Sequence, residues 1–136
     1  MVKYYMKQKK DSKIYQDWFD KADHDLNAAK ILFNEGGFMD TIGYHLHQAI
    51  EKYLKGFLLF YKQEYSLTHD LIKLLKECFK FDKNITDYYE ECERMNAYYI
   101  EAKYPMDAPQ NYSKNEMQKS IEMTRFLLKY IKNQIK

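Results

Sequence analysis

Four histidines, His24, His45, His47 and His69, are the groups best suited to proton transfer near neutral pH, and none follows His69 in the chain. His45 and His47 form an H-x-H pair. Residues two apart on a helix do not share a face, so this pair cannot chelate one metal ion. No CxxC, no HExxH and no phosphate-cradling glycine loop accompanies it. Neither a metal nor a cofactor is expected. His47 and Glu51 are four apart and can pair, at the least as a local surface hydrogen bond. With Gln48, Lys52 and Lys55 they make a polar helical stripe beside an apolar one, which can hold a ligand or simply face solvent. A second dense place is Tyr98–Asp107. There Lys103, Tyr104 and Asp107 bring a cation, an aromatic ring and a carboxylate to the end of a helix. A lysine at that position also complements the helix dipole by itself.

The elements that must carry these groups read as helices. Tyr15, Trp18, Ala22, Leu26, Ala29 and Phe33 recur at helical spacing up to a stop at Gly36-Gly37. Ile42, Leu46, Ala49, Ile50, Tyr53, Phe57 and Tyr61 predict a second helix from about Met39 to about Glu64. Gly43 and Gly56 inside it mark close helix approaches, since each costs about 1 kcal/mol of helix propensity. Thr68 is a candidate N-cap for a short third helix with Leu71, Leu74, Leu75 and Cys78 on one side. A fourth runs from about Ile85 through Tyr88, Cys92, Met95 and Tyr99, and Pro105 bounds it. The stretch Tyr104–Tyr112 holds both prolines and reads as a loop. Ser113 and Glu116 form a capping box that opens a last helix along Met117, Ile121, Thr124, Leu128, Ile131 and Ile135. No segment alternates with period two. The expected fold is all-α: an antiparallel up-and-down bundle of four long helices and one short one. Trp18, Leu26, Leu46, Ile50, Leu54, Phe57, Leu74, Met95, Ile121 and Leu128 are its expected core.

Bulk properties agree. A chain of 136 residues with 4 Gly and 2 Pro makes one core and has too few turn residues for a sandwich or barrel. The expected organisation is a basic N-terminal segment, 1–13, and a single helical domain, 14–136. The net charge of +2 is too small for an outright polycation. Its distribution is uneven: both ends are basic, and the middle is acidic. Basic ends could steer an anionic partner, or be solvated faces. Only Arg94 and Arg125 are arginines, which argues against rich bidentate phosphate clamping. No apolar run approaches the ~20 residues needed to span a bilayer. Two cysteines, Cys78 and Cys92, suit a reduced pair. A cytoplasmic location is expected, with no membrane contact. The 14 Tyr and 8 Phe exceed what a small bundle encloses, so an aromatic surface patch and a homodimer are expected.

Four segments in order carry a family resemblance: Trp18–Leu26 as W-x3-A-x2-DL, His45–Gly56 as HLHQAIEKYLKG, His69-Asp70-Leu71, and Tyr98–Asp107 as YYIEAKYPMD. Together they resemble the HEPN family of small helical domains. The resemblance spans about residues 15–132 and implies a five-helix bundle that commonly dimerises. Many such proteins are metal-independent ribonucleases. They use an Arg followed four to six residues later by a His, the His for acid–base chemistry and the Arg for phosphate charge. Here Arg94 is followed at those distances by Tyr98, Tyr99 and Ile100, and Arg125 by Lys129, Tyr130 and Ile131. The pair is missing, and the family's frequent Arg before Tyr-Pro is Lys103. The resemblance further implies a minimal nucleotidyltransferase partner, as in toxin–antitoxin pairs. The resulting expectation is a binding protein rather than an enzyme. Its expected ligand is a nucleotide or RNA, held near His47, Gln48, Glu51, Lys52, Lys55, His69, Asp70, Lys103, Tyr104 and Asp107. Two alternatives stand beside it. One is a divergent ribonuclease with His69 or His47 as acid–base group and Lys103 or Arg94 on the phosphate. The other is a purely structural homodimeric adaptor.

Overall fold

A computed structural model describes residues 10–107 and 111–135. Most of the expected segment 1–13, Pro109 of the expected loop and the terminal Lys136 lie outside the described residues. Among the described residues five α-helices follow one another: α1 (Tyr15–Asn34), α2 (Met39–Phe60), α3 (Leu71–Cys78), α4 (Tyr89–Lys103) and α5 (Lys114–Gln134). No strand occurs among the described residues. Among the described residues no helix is long and apolar enough to cross a membrane.

The α2 helix is the axis of the bundle. All four other helices pack on it, and thirteen of its 22 residues are buried. Leu46, Ile50, Leu54 and Phe57 are fully enclosed. Each such side chain stabilises the fold by roughly 1.5–3 kcal/mol relative to exposure. The two glycines inside α2 are there for contact. A Cβ on Gly43 would stand 2.8 Å from Tyr98, and one on Gly56 2.8 Å from Phe19. The helices therefore approach as closely as the sequence demanded.

Local signals set the ends. Ser12 Oγ accepts the Ile14 N–H at 3.0 Å and donates to Asp17 at 2.7 Å, which fixes the entry into α1. Gly36 takes φ +77° just after α1, as the left-handed exit of a helix requires. Ser113 caps α5 by accepting from Glu116 N at 3.1 Å.

Four expectations are corrected. Trp18 is half-buried, and its neighbour Phe19 fills the core. The Trp18 indole N–H needs an acceptor and finds Ser12 O at 2.8 Å, which holds it at the rim. The α2 helix stops at Phe60 rather than near Glu64, because Lys62 adopts φ +58° and reverses the chain. The N-cap of α3 is Asp70, accepting from Ile72 N at 3.0 Å, while Thr68 accepts from Asp70 N one step earlier. The stretch Lys83–Tyr88 is a 3-10 turn capped by Asp82, so α4 begins at Tyr89 rather than near Ile85. Cys78 and Cys92 are both buried and free, and burial pushes the Cys92 thiol up to about 12 and Cys78 upward too. Neither is a thiolate nucleophile at neutral pH.

Candidate functional site

The α2 stripe and the end of α4 meet across one aromatic ring. Tyr99, on α4, is nearly buried, with 9% of its surface exposed. Tyr44 stacks on it with centroids 5.9 Å apart, His47 at 4.4 Å and His69 at 5.2 Å. Lys103, one turn further along α4, donates to the Tyr99 hydroxyl at 2.9 Å. That bond raises the Lys103 pKa from its ordinary value.

Beneath this ring lies a buried carboxylate. Glu51 Oε1 accepts from His69 Nδ1 at 2.8 Å, and Oε2 accepts from Lys55 Nζ at 3.1 Å. The Glu51 side chain is 5% exposed and that of Lys55 8%. A charge pair this deep is tolerated only when its hydrogen bonds are met. The Lys55 ammonium is further covered by the rings of Tyr65 and Trp18, at 5.1 and 6.0 Å.

His47 completes the arrangement from inside. It is fully buried, and its Nε2–H donates to the carbonyl of His69 at 2.8 Å. Gln48 donates to its Nδ1 at 3.3 Å, which suits a neutral ring. Desolvation pushes the His47 pKa down to about 4, against the opposing pull of Glu51. Fully buried with both ring nitrogens bonded, His47 is held inside the bundle, away from any ligand on the surface. His69 differs: its side chain is 56% exposed, and its Nε2 has no partner among the described residues. Its backbone is held by His47 and its ring by Glu51. A carboxylate on Nδ1 fixes the tautomer that leaves Nε2 free. This ring can bind a phosphate oxygen when protonated, or accept a proton when neutral.

The expected site residues divide accordingly. His47, Glu51, Lys55, His69 and Lys103 converge. The expectation of a surface His47–Glu51 bond is corrected: both are buried, and Nδ1 and Oε1 are 4.0 Å apart. The stripe is likewise no solvent-facing surface, since His47, Glu51 and Lys55 are buried and Gln48 and Lys52 half-buried. Lys52 turns instead to Asp25 on α1, at 2.5 Å, where His45 also donates at 2.9 Å. Asp70 is engaged as the α3 cap and by Asn96 at 2.9 Å. Tyr104 and Asp107 are exposed past the end of α4. The sequence reading missed Tyr99, Asn96 and Asp25 as organising residues. Tyr99 stands four before Lys103, a spacing that could have found it. Nothing local marks Asn96. Among the described residues no group of three or more His, Cys, Asp or Glu side chains could hold a metal.

Comparisons with known proteins fit this geometry. The family model of the HEPN domain matches residues 15–134. The crystal structure of TT1696 from Thermus thermophilus superposes with a TM-score of 0.77 at 23% identity, covering 88% of this chain and 97% of its own. That of ST0689, an archaeal HEPN homologue, gives 0.73 at 22% identity, covering 90% and 98%. At these identities the likeness establishes the fold. No curated protein matches the sequence.

Proposed function

The chain belongs to the HEPN domain family, and on that footing we propose that it binds the phosphate of a nucleotide or nucleic acid where His69 and Lys103 meet Tyr99, without a reaction of its own. One observation carries this reading: two cation-forming side chains from different elements lie on the same ring, each about 5 Å from its centre (5.2 Å for the His69 ring, 5.1 Å for the Lys103 ammonium). Tyr104 beside them is 53% exposed and offers a face to a base. Ile100 and Met106, each 45% exposed, supply apolar surface for a second copy. Within this reading the protein acts as a cytoplasmic homodimer beside a minimal nucleotidyltransferase. Calorimetric titration with uridine 5′-monophosphate tests it. Weak, salt-sensitive binding is expected, and His69→Ala or Lys103→Ala should each weaken it about tenfold, the worth of one charge-assisted hydrogen bond. No binding by the native protein in low salt overturns the reading.

A second reading has its own support. Glu51 orients His69 as the carboxylate of a catalytic triad orients its histidine. Tyr99 stands five residues after Arg94, inside the window where the family's nuclease motif has its His, and the His69 ring lies on it. A divergent, metal-independent ribonuclease with His69 as acid–base group is therefore the alternative. Labelled RNA incubated in EDTA decides. The binding reading expects no cleavage. Cleavage that survives repurification and vanishes in His69→Ala replaces it.

A further inference from the structure

The charge of this molecule is uneven in space as well as in sequence. The solvent side of α1 carries Asp17, Asp20, Asp23 and the adjoining Glu35, all exposed, with Lys21 the one exposed lysine among them. On α5 the buried side is uncharged: Met117, Ser120, Ile121, Thr124, Leu127, Leu128 and Ile131. Along one edge of its solvent side runs a line of cations, while Glu116 and Lys119 are exposed elsewhere on that side. Lys114, Arg125, Lys129 and Lys132 are exposed and lie on one helical stripe, with Gln118 between them. The stripe is about 27 Å long at 1.5 Å per residue. Phe126 flanks it at 54% exposure, with the Arg125 guanidinium 5.9 Å from its ring. Midway, a groove of ≈ 240 Å³ opens between α5 and the end of α1, where Lys30 joins Arg125.

We propose that this face of α5 docks the backbone of a single-stranded nucleic acid. The surface shares no residue with the His69 site, so the inference goes beyond the reading above. Charge complementarity selects the occupant. Arg125, Lys129 and Lys132, at one-turn intervals, match successive phosphates, with Lys114 three turns before them, and the exposed aromatic beside them stacks a base. A lipid surface would need an apolar face to insert, and the apolar face of α5 is spent in the core. Protein interfaces deplete Lys at their centres, whereas Lys is the main residue here. Glu122 is the built-in opponent, since it holds Arg125 at 2.8 Å.

Fluorescence anisotropy with a labelled 20-nucleotide oligouridylate tests this on the full chain. The native protein should bind with a negative slope of log affinity against log salt. Arg125→Gln, Lys129→Gln and Lys132→Gln together should flatten that slope by about 2 and weaken binding about tenfold at low salt. Glu122→Gln should tighten binding severalfold by freeing Arg125. These side chains are exposed, and unchanged circular dichroism confirms that the variants fold. Titration with uridine 5′-monophosphate separates the two readings, because the triple variant should bind the mononucleotide like the native protein. Native-like affinity and slope in the triple variant, or no oligonucleotide binding by the native protein, overturns the proposal. So does preferential binding to vesicles of anionic phospholipid.

Discussion

The same three-residue chemistry occurs twice in this bundle, with different outcomes. At one place Asp25 receives His45 and Lys52; at the other, Glu51 receives His69 and Lys55. In the first cluster both nitrogen partners come from α2 and the carboxylate from α1, so the cluster is a clamp between two packed helices. Its histidine is 28% exposed and is tied to the clamp. In the second, the carboxylate and the lysine share α2, and the histidine arrives from the connection before α3. The carboxylate is deeper, at 5% against 14% exposure, and the imidazole is freer, at 56%. A carboxylate flanked by His and Lys is therefore not in itself a site. It becomes a candidate when the buried half is satisfied internally and the other half is left reaching outward.

The largest expected effect breaks the buried half. Lys55→Met leaves Glu51 with one partner in the core and should cost ~3–5 kcal/mol in urea unfolding. A loss similar to that of an exposed pair would show Glu51 to be better hydrated than its surroundings imply.

The next concerns pH. His47 has a folded pKa of about 4, below the unfolded value of 6.5. Above pH 6.5 the ring is neutral in both states and contributes nothing to the pH dependence. As pH falls from 6.5 toward 4, the unfolded chain takes up the proton that the folded one refuses. Stability is lost across that window by roughly 2–3 kcal/mol from this residue. His47→Gln keeps a donor for the His69 carbonyl and should reduce the loss between pH 6.5 and 4. An unchanged profile in that variant would remove His47 as its source.

Third is a split between the two histidines. His69→Ala should weaken mononucleotide binding about tenfold, or ~1.4 kcal/mol, while His45→Ala leaves it unchanged. Equal effects would erase the distinction between clamp and site. The smallest effect belongs to the other lysine: Lys52→Met, partly solvated, should cost ~1 kcal/mol or less, and a loss matching that of Lys55 would make the two clusters equivalent.

Most of the fold was legible because helical fold signals are local. Gly43 and Gly56, out of place in a helix, announced close contacts before any partner was known. Ser113 with Glu116, and the double glycine after α1, marked ends by chemistry within a turn. The errors are of the same short range. Trp18 and Phe19 are neighbours one helical step apart, and periodicity alone preferred the larger ring. The candidate cluster could be read from the sequence as single residues but not as an arrangement. His69 and Glu51 are 18 residues apart, and Asn96 reaches back 26 to Asp70; no periodicity relates such pairs. Burial was also hidden. A His, a Glu and a Lys at helical spacing look like a wet stripe until the rings of Tyr99, Trp18 and Tyr65 are laid over them.

The hairpin of α1 and α2 turns through residues 35–38, and everything in the Asp25 clamp lies between residues 25 and 52. That clamp can close over a short loop as soon as two adjacent helices meet, an early and fast event in assembly. The Tyr99 site has no such shortcut. It needs the reversal at Lys62, the cap at Asp70 and the return of α4 before Tyr99 can cover His69, so its closure carries the entropy of a loop of tens of residues. The Asp25 clamp thus has the shorter closure in sequence, and the Tyr99 cluster the longer and entropically costlier one.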